Sequence, residues 1–147
     1  MNGLIMDMPR LISDRIRHAD RHHGDTEIVS KRVEGDFHRY TYREAHGRSR
    51  QLAKALAKLG VKMSDRVATL AWNGYRHFEI YYAAAGPGAV IHTINPRLFP
   101  EQVLYIPTHA EDKVLCVDLP FVPLADKVAA SPRPAHPLVT STAPPPD

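Results

Sequence analysis

The sequence predicts an α/β domain: a partial parallel sheet with flanking helices, preceded by an N-terminal β-hairpin. Three observations carry that prediction. Short strand-like runs at 66–71, 89–94 and 113–117 alternate with helical patterns at 75–85 and 100–109. Strands separated by single helices need crossover connections, and crossovers make parallel pairs. The chain has 147 residues, 44% of them hydrophobic and 24% charged, which suits about one globular domain able to bury roughly two thirds of its unfolded surface.

The elements follow in order. Residues 9–23 read as a helix, with Pro9 at its first position and Leu11, Ile12, Ile16 and Ala19 along one stripe. Thr26–Val33 and Phe37–Thr41 flank Glu34-Gly35-Asp36 and predict the hairpin. Thr41-Tyr42-Arg43-Glu44 fits a capping box, in which hydroxyl and carboxylate each satisfy an orphan backbone N–H. Ala45, Ser49, Leu52, Leu56 and Leu59 then recur at steps of four and three, and Gly60 supplies a left-handed stop. The alternating strands and helices come next, ending in a weaker helix over 122–130. From Ser131 the character changes. The last seventeen residues hold six of the thirteen prolines, so residues 131–147 are expected to form a disordered, proline-rich tail behind a 1–130 domain.

Several function classes are disfavoured. No run of 18 apolar residues exists, so no membrane span is expected. Asp7 and Arg10 bracket too short an apolar stretch for a secretory signal. The single cysteine, Cys116, allows no internal disulfide, and the expected compartment is cytoplasmic. A net charge of +3 comes from basic residues scattered over the outer faces of two helices. They read as a solvated surface, not a nucleic-acid patch. Nine histidines show no zinc spacing, so no metal site is expected. Cys116 alternates with hydrophobes in a strand and reads as a buried filler.

Three stretches carry a resemblance to a known family. Gly60-Val61-Lys62-Met63-Ser64-Asp65-Arg66-Val67 resembles a G-V-x-P-G-D-R-V turn into a buried strand. Asn73-Gly74 follows that strand, and His92-Thr93-Ile94-Asn95-Pro96-Arg97-Leu98 matches H-T-x-N-P-R-L. Over residues 4–128 this order and spacing are similar to the opening of the AMP-dependent acyl-CoA synthetases, most of all those for fatty acids. The resemblance implies an incomplete N-terminal subdomain of that fold. The parent reaction it implies joins a fatty acid and CoA at the expense of ATP, giving acyl-CoA, AMP and diphosphate, with Mg²⁺ neutralising phosphate charge. It also implies a Gly/Ser/Thr-rich phosphate loop, a Tyr-Gly-x-Thr-Glu segment, an adenosine-binding Asp and a mobile Lys, none of which occurs in these 147 residues. No catalytic or cofactor-binding residue is therefore assigned. ATP, Mg and CoA are expected of the parent family and no cofactor of this chain alone.

What remains is positional. In open parallel sheets ligands bind beyond the carboxyl ends of the strands, where Trp72-Asn73 and Asn95-Pro96-Arg97 are expected. Asn95 and Arg97 are the substrate-binding candidates, Arg97 through its planar fork toward a phosphate or carboxylate. The plainer alternative has Asn95 and Pro96 shaping the turn and Arg97 bracing a neighbouring segment. Asp65 and Asp118 sit at strand-adjacent turns and are expected to accept backbone N–H bonds.

Four departures from the family pattern bear on folding. Met63-Ser64 replaces Pro-Gly, which costs about 1 kcal/mol if that Gly position is left-handed, and Phe99 stands where a Ser or Thr cap is expected, costing about 1 kcal/mol. Pro107 is expected to kink or shorten its helix at a cost of about 3 kcal/mol. The proline-rich tail is expected to leave a strand edge without its partner, hence marginal stability or self-association. The leading expectation is thus the N-terminal piece of a fatty-acid–CoA ligase, truncated or split, and inactive alone. The alternative is a non-catalytic interaction module that forms a homo-oligomer or pairs with a full-length synthetase, as the homodimer contacts of related synthetases suggest. An independent small enzyme lacks a clustered nucleophile, base and oxyanion site.

Overall fold

The computed structural model describes residues 11–130 and 136–139. In chain order it contains α1 (Ile12–His23), β1 (Glu27–Lys31), β2 (Phe37–Thr41), α2 (Tyr42–Lys58), β3 (Arg66–Leu70), α3 (Tyr75–Ala85), β4 (Val90–Thr93), α4 (Pro100–His109), β5 (Val114–Val117), a 3₁₀ turn (Leu119–Phe121), α5 (Val122–Ala129) and β6 (His136–Val139). β1 and β2 form an antiparallel hairpin, and the other strands form a parallel sheet in the order β4-β3-β5-β6. This is the α/β architecture expected from the alternation of strands and helices.

Each face of the parallel sheet carries its own core, as period-two alternation requires. On one side Val67, Val114 and Cys116 pack with Leu56 of α2 and Ile80, Ala83 and Ala84 of α3. On the other, Ala68, Leu70, Leu115 and Val117 pack with Val103 of α4 and Ala125 and Val128 of α5. Helices therefore cover both faces, which explains why β5 reads as an unbroken apolar run.

The capping box at the head of α2 is formed: the Glu44 backbone N–H donates to Thr41 Oγ1 (3.3 Å), and the Thr41 N–H donates to a Glu44 carboxylate oxygen (2.7 Å). At the other end Gly60 adopts φ +83°, the left-handed stop expected there. Leu59 is 49% exposed and so falls outside the apolar stripe assigned to it. Arg48 Nε donates to the buried Glu79 carboxylate (2.6 Å), tying α2 to α3.

Two expectations need correction. α4 runs to His109 despite Pro107, because the proline sits in the last turn, fully buried. There it forfeits one intrahelical N–H, and the Ala110 N–H still closes the end on the Ile106 carbonyl (2.9 Å). The second concerns the tail. Four of its residues, His136–Val139, form β6 and pair in parallel with β5 through Val114↔His136 to Val117↔Val139. An edge strand uses only one side of its backbone for pairing, so Pro137 is tolerated there, and β5 gains the neighbour it was expected to lack. Residues 131–135 and 140–147, also expected to be disordered, lie outside the described residues, as does Pro9.

Candidate functional site

Strand order sets where a site can form. From β3 the chain crosses to β4 on one side and then to β5 on the other, so direction reverses between β3 and β5. Ligands in such sheets bind beyond the carboxyl ends near this reversal. Here the gap between the two loops is closed. The buried Asp118 accepts the Trp72 N–H (2.9 Å), and the Trp72 ring lies 5.3 Å from Phe121. Asp118 thus does what its turn position suggested. Asp65 does likewise, accepting the Lys62 N–H (2.7 Å) and pairing with Lys113 (2.9 Å). These bonds hold its carboxyl below its ordinary range.

The opening lies one strand over, above β3 and β4. A cleft of about 690 Å³ is lined by Trp72, Asn73, Thr93, Asn95 and Arg97, together with His77 and Tyr81 of α3. The two expected clusters, 72–73 and 95–97, therefore meet around one opening. Asn95 shapes the turn, since its side-chain oxygen accepts the Arg97 backbone N–H (3.0 Å). The Arg97 side chain is exposed and makes no hydrogen bond or ion pair among the described residues, so it braces nothing there. The lining contains no carboxylate, and the one fixed charge facing the cleft is a cation.

His77 and Tyr81 were not singled out from sequence. The available signal was their i, i+4 spacing, which puts both on one helix face beside the strand ends. His77 is tied into the fold. Its Nε2 hydrogen-bonds the Thr69 hydroxyl (2.9 Å), and a backbone bond to Trp72 engages the ring further. Burial lowers its pKa from the ordinary value of 6.5, keeping the ring neutral. Cys116 is no nucleophile, because burial pushes its thiol up to about 12.

Among the described residues, the glycine turn and the head of α3 have backbone amides already engaged within the fold. In the Gly86-Pro87-Gly88 turn the Gly86 and Gly88 amides donate to Tyr82 and Ala85, and the Ala89 amide to Ala84. At the head of α3 the Tyr75 amide donates to Ser30 Oγ (3.0 Å). Among the described residues no three His, Cys, Asp or Glu side chains gather where they could hold a metal ion. No helix of the described residues is long and apolar enough to cross a membrane. Among its lining residues the cleft presents one cation, Arg97, and no carboxylate.

The family model described as AMP-binding enzyme matches residues 16–146. The chain is 54% identical to a 3-methylmercaptopropionyl-CoA ligase of Ruegeria lacuscaerulensis over 124 residues, 84% of this chain but 23% of that protein. It is 47% identical to a medium-chain-fatty-acid–CoA ligase of Ectopseudomonas oleovorans, over 89% of this chain and 24% of the relative. The inhibitor-bound N-terminal domain of FACL13 from Mycobacterium tuberculosis superimposes with a TM-score of 0.74 at 25% identity, over 89% of this chain and 33% of that one. The chain thus spans about a quarter of the curated relatives it matches.

Proposed function

Because the chain belongs to the AMP-binding enzyme family, we propose that it is the N-terminal structural quarter of a fatty-acid–CoA ligase, acting in the cytoplasm and unable to activate an acid alone. The parent reaction converts a fatty acid, ATP and CoA to acyl-CoA, AMP and diphosphate. The observation that carries the proposal is the pairing of 54% identity with coverage of 23% of the relative, joined to a cleft whose lining offers one cation and no carboxylate. In this reading the nucleotide, Mg²⁺ and their chemistry belong to the remaining three quarters. The region described here supplies one wall of the substrate path.

Within that wall Arg97 and Asn95 are the binding residues. The Arg97 guanidinium stands unpaired beside a cleft free of carboxylates, so an incoming phosphate or carboxylate would meet a cation with no competitor. Asn95 fixes the backbone that carries it.

Two measurements test this. The purified chain, given fatty acid, ATP, Mg²⁺ and CoA, should release no diphosphate above background. The Ruegeria ligase with its matched region replaced by this chain should release it, and Arg97→Ala in that chimera should raise KM for an anionic substrate while leaving the fold intact. Diphosphate release by the chain alone, or a folded but inactive chimera, would overturn the proposal.

A further inference from the structure

The outer face of α1 carries a group of side chains that the Arg97 cleft does not use. His18, His22 and His23 are all exposed on this helix, and no residue of α1 lines the cleft. Residues four apart on a helix share a face, whereas sequence neighbours diverge by about 100°. His22 and His23 therefore part, and the pair that converges is His18 with His22, whose ring centroids lie 4.5 Å apart. The His23 ring stands 6.0 Å from that of His18. None of the three rings has a hydrogen bond or ion pair among the described residues, so their nitrogens are open to a ligand.

Histidines elsewhere in the fold are engaged. His46 bonds Asp20 (2.6 Å), His92 bonds Asp112 (2.8 Å), and His109 bonds the Tyr105 hydroxyl (3.1 Å). The carboxylates of α1 are committed as well, Asp14 to Arg17 (3.0 Å) and Asp20 to His46 and Arg43. His18 and His22 thus offer two imidazole nitrogens with no carboxylate between them. No third such side chain gathers with them among the described residues, so water would complete the coordination of an ion held there. Two imidazoles on one ion, each nitrogen at about 2 Å, put their ring centroids about 4.5–5 Å apart. The pair already has that span. His22 also lies in the last turn of α1, where the outward carbonyls of a helix favour a cation.

We propose that His18 and His22 form a two-histidine clamp for a divalent late transition metal, Cu²⁺, Ni²⁺ or Zn²⁺. Imidazole donors without oxygen partners select these ions over Mg²⁺ and Ca²⁺, and Cu²⁺ binds such a set most tightly. The segment reads His18-Ala19-Asp20-Arg21-His22. Hydrolytic zinc helices of the same spacing carry a Glu directly after the first His as general base. Ala19 stands in that place, so the clamp binds an ion without doing chemistry on it. One ion would join successive turns at the end of α1. The site is separate from the Mg²⁺ of the parent reaction and stands whether or not the ligase reading does.

Isothermal titration of the purified, untagged chain with Ni²⁺, Cu²⁺ and Zn²⁺ chlorides tests this. One ion should bind per chain, with Cu²⁺ the tightest. His18→Ala and His22→Ala should each weaken Ni²⁺ binding at least about tenfold, because the second ligand of a chelate acts at high effective concentration. His23→Ala should leave the affinity unchanged. All three side chains are exposed, so the variants should keep the parent's circular dichroism spectrum. A second readout needs no substitution: substoichiometric Cu²⁺ should broaden the ring resonances of His18 and His22 before those of any other histidine. Retained Ni²⁺ binding in both His18→Ala and His22→Ala, or loss through His23→Ala alone, overturns the proposal. Broadening centred on another histidine does so too. Displacement of bound Ni²⁺ by an equal concentration of Mg²⁺ would show an oxygen site and overturn it as well.

Discussion

Ser64 holds φ +67° in the turn before β3, a left-handed conformation in which a Cβ crowds the following carbonyl at a cost of about 1–2 kcal/mol. Ser64→Gly removes that cost. It also frees the unfolded chain, which returns about 0.4–1 kcal/mol. Nothing else should change. The Ser64 side chain is exposed and makes no hydrogen bond, and the backbone bond from its N–H to the Gly88 carbonyl (2.9 Å) is available to glycine too. The expected net gain is about 0.5–1 kcal/mol, or about 2–4 °C in melting temperature for a domain of this size. Thermal and urea unfolding followed by circular dichroism measure it. Ser64→Val serves as the opposite control, because a β-branched side chain is worse still at positive φ. If Ser64→Gly unfolds at or below the parent's midpoint while Ser64→Val matches the parent, the turn carries no strain and the reasoning fails.

Other expectations follow from the core and its buried groups. Leu56→Ala, at a fully buried site between α2 and the sheet, should cost about 2–5 kcal/mol and leave little folded protein by urea titration. The depressed pKa of His77 means the unfolded state binds its proton more readily. Stability should therefore be intact above pH 6.5 and fall as pH drops below it toward the folded-state value; His77→Gln should flatten that slope between pH 8 and 5.5. Cys116, with its thiol raised to about 12 and fully buried, should resist thiol reagents in the native state and label at the rate of unfolding.

The elements legible in the sequence were those whose signals are local. The Thr41–Glu44 box and Gly60 bracket α2 because capping and left-handed stops involve neighbours three or four residues apart, and both appear as read. β3, α3 and β5 follow from burial on both faces, which writes itself as apolar runs between helical patterns. Pro107 was misjudged for a related reason. Its cost depends on how many turns follow it, and only one short stretch does. β6 was not legible at all. A proline-rich stretch carries no strand signal of its own, and its pairing comes from the exposed edge of β5, some twenty residues earlier in the chain.

The site divides along the same line. Asn95 and Arg97 could be placed because parallel topology sends every strand's carboxyl end to one rim. What the sequence could not show is the closure of the β3–β5 gap by Asp118 and Trp72, which join residues 46 apart. That closure moves the usable opening onto β3 and β4, where α3 adds His77 and Tyr81. Arg97 lies on the rim of that opening. A bracing arginine needs an acceptor within reach, and among the described residues the Arg97 side chain has no hydrogen-bond or ion-pair partner. The exposed guanidinium faces water and the cleft, where an anion arriving from outside can form a charge-assisted bond with it.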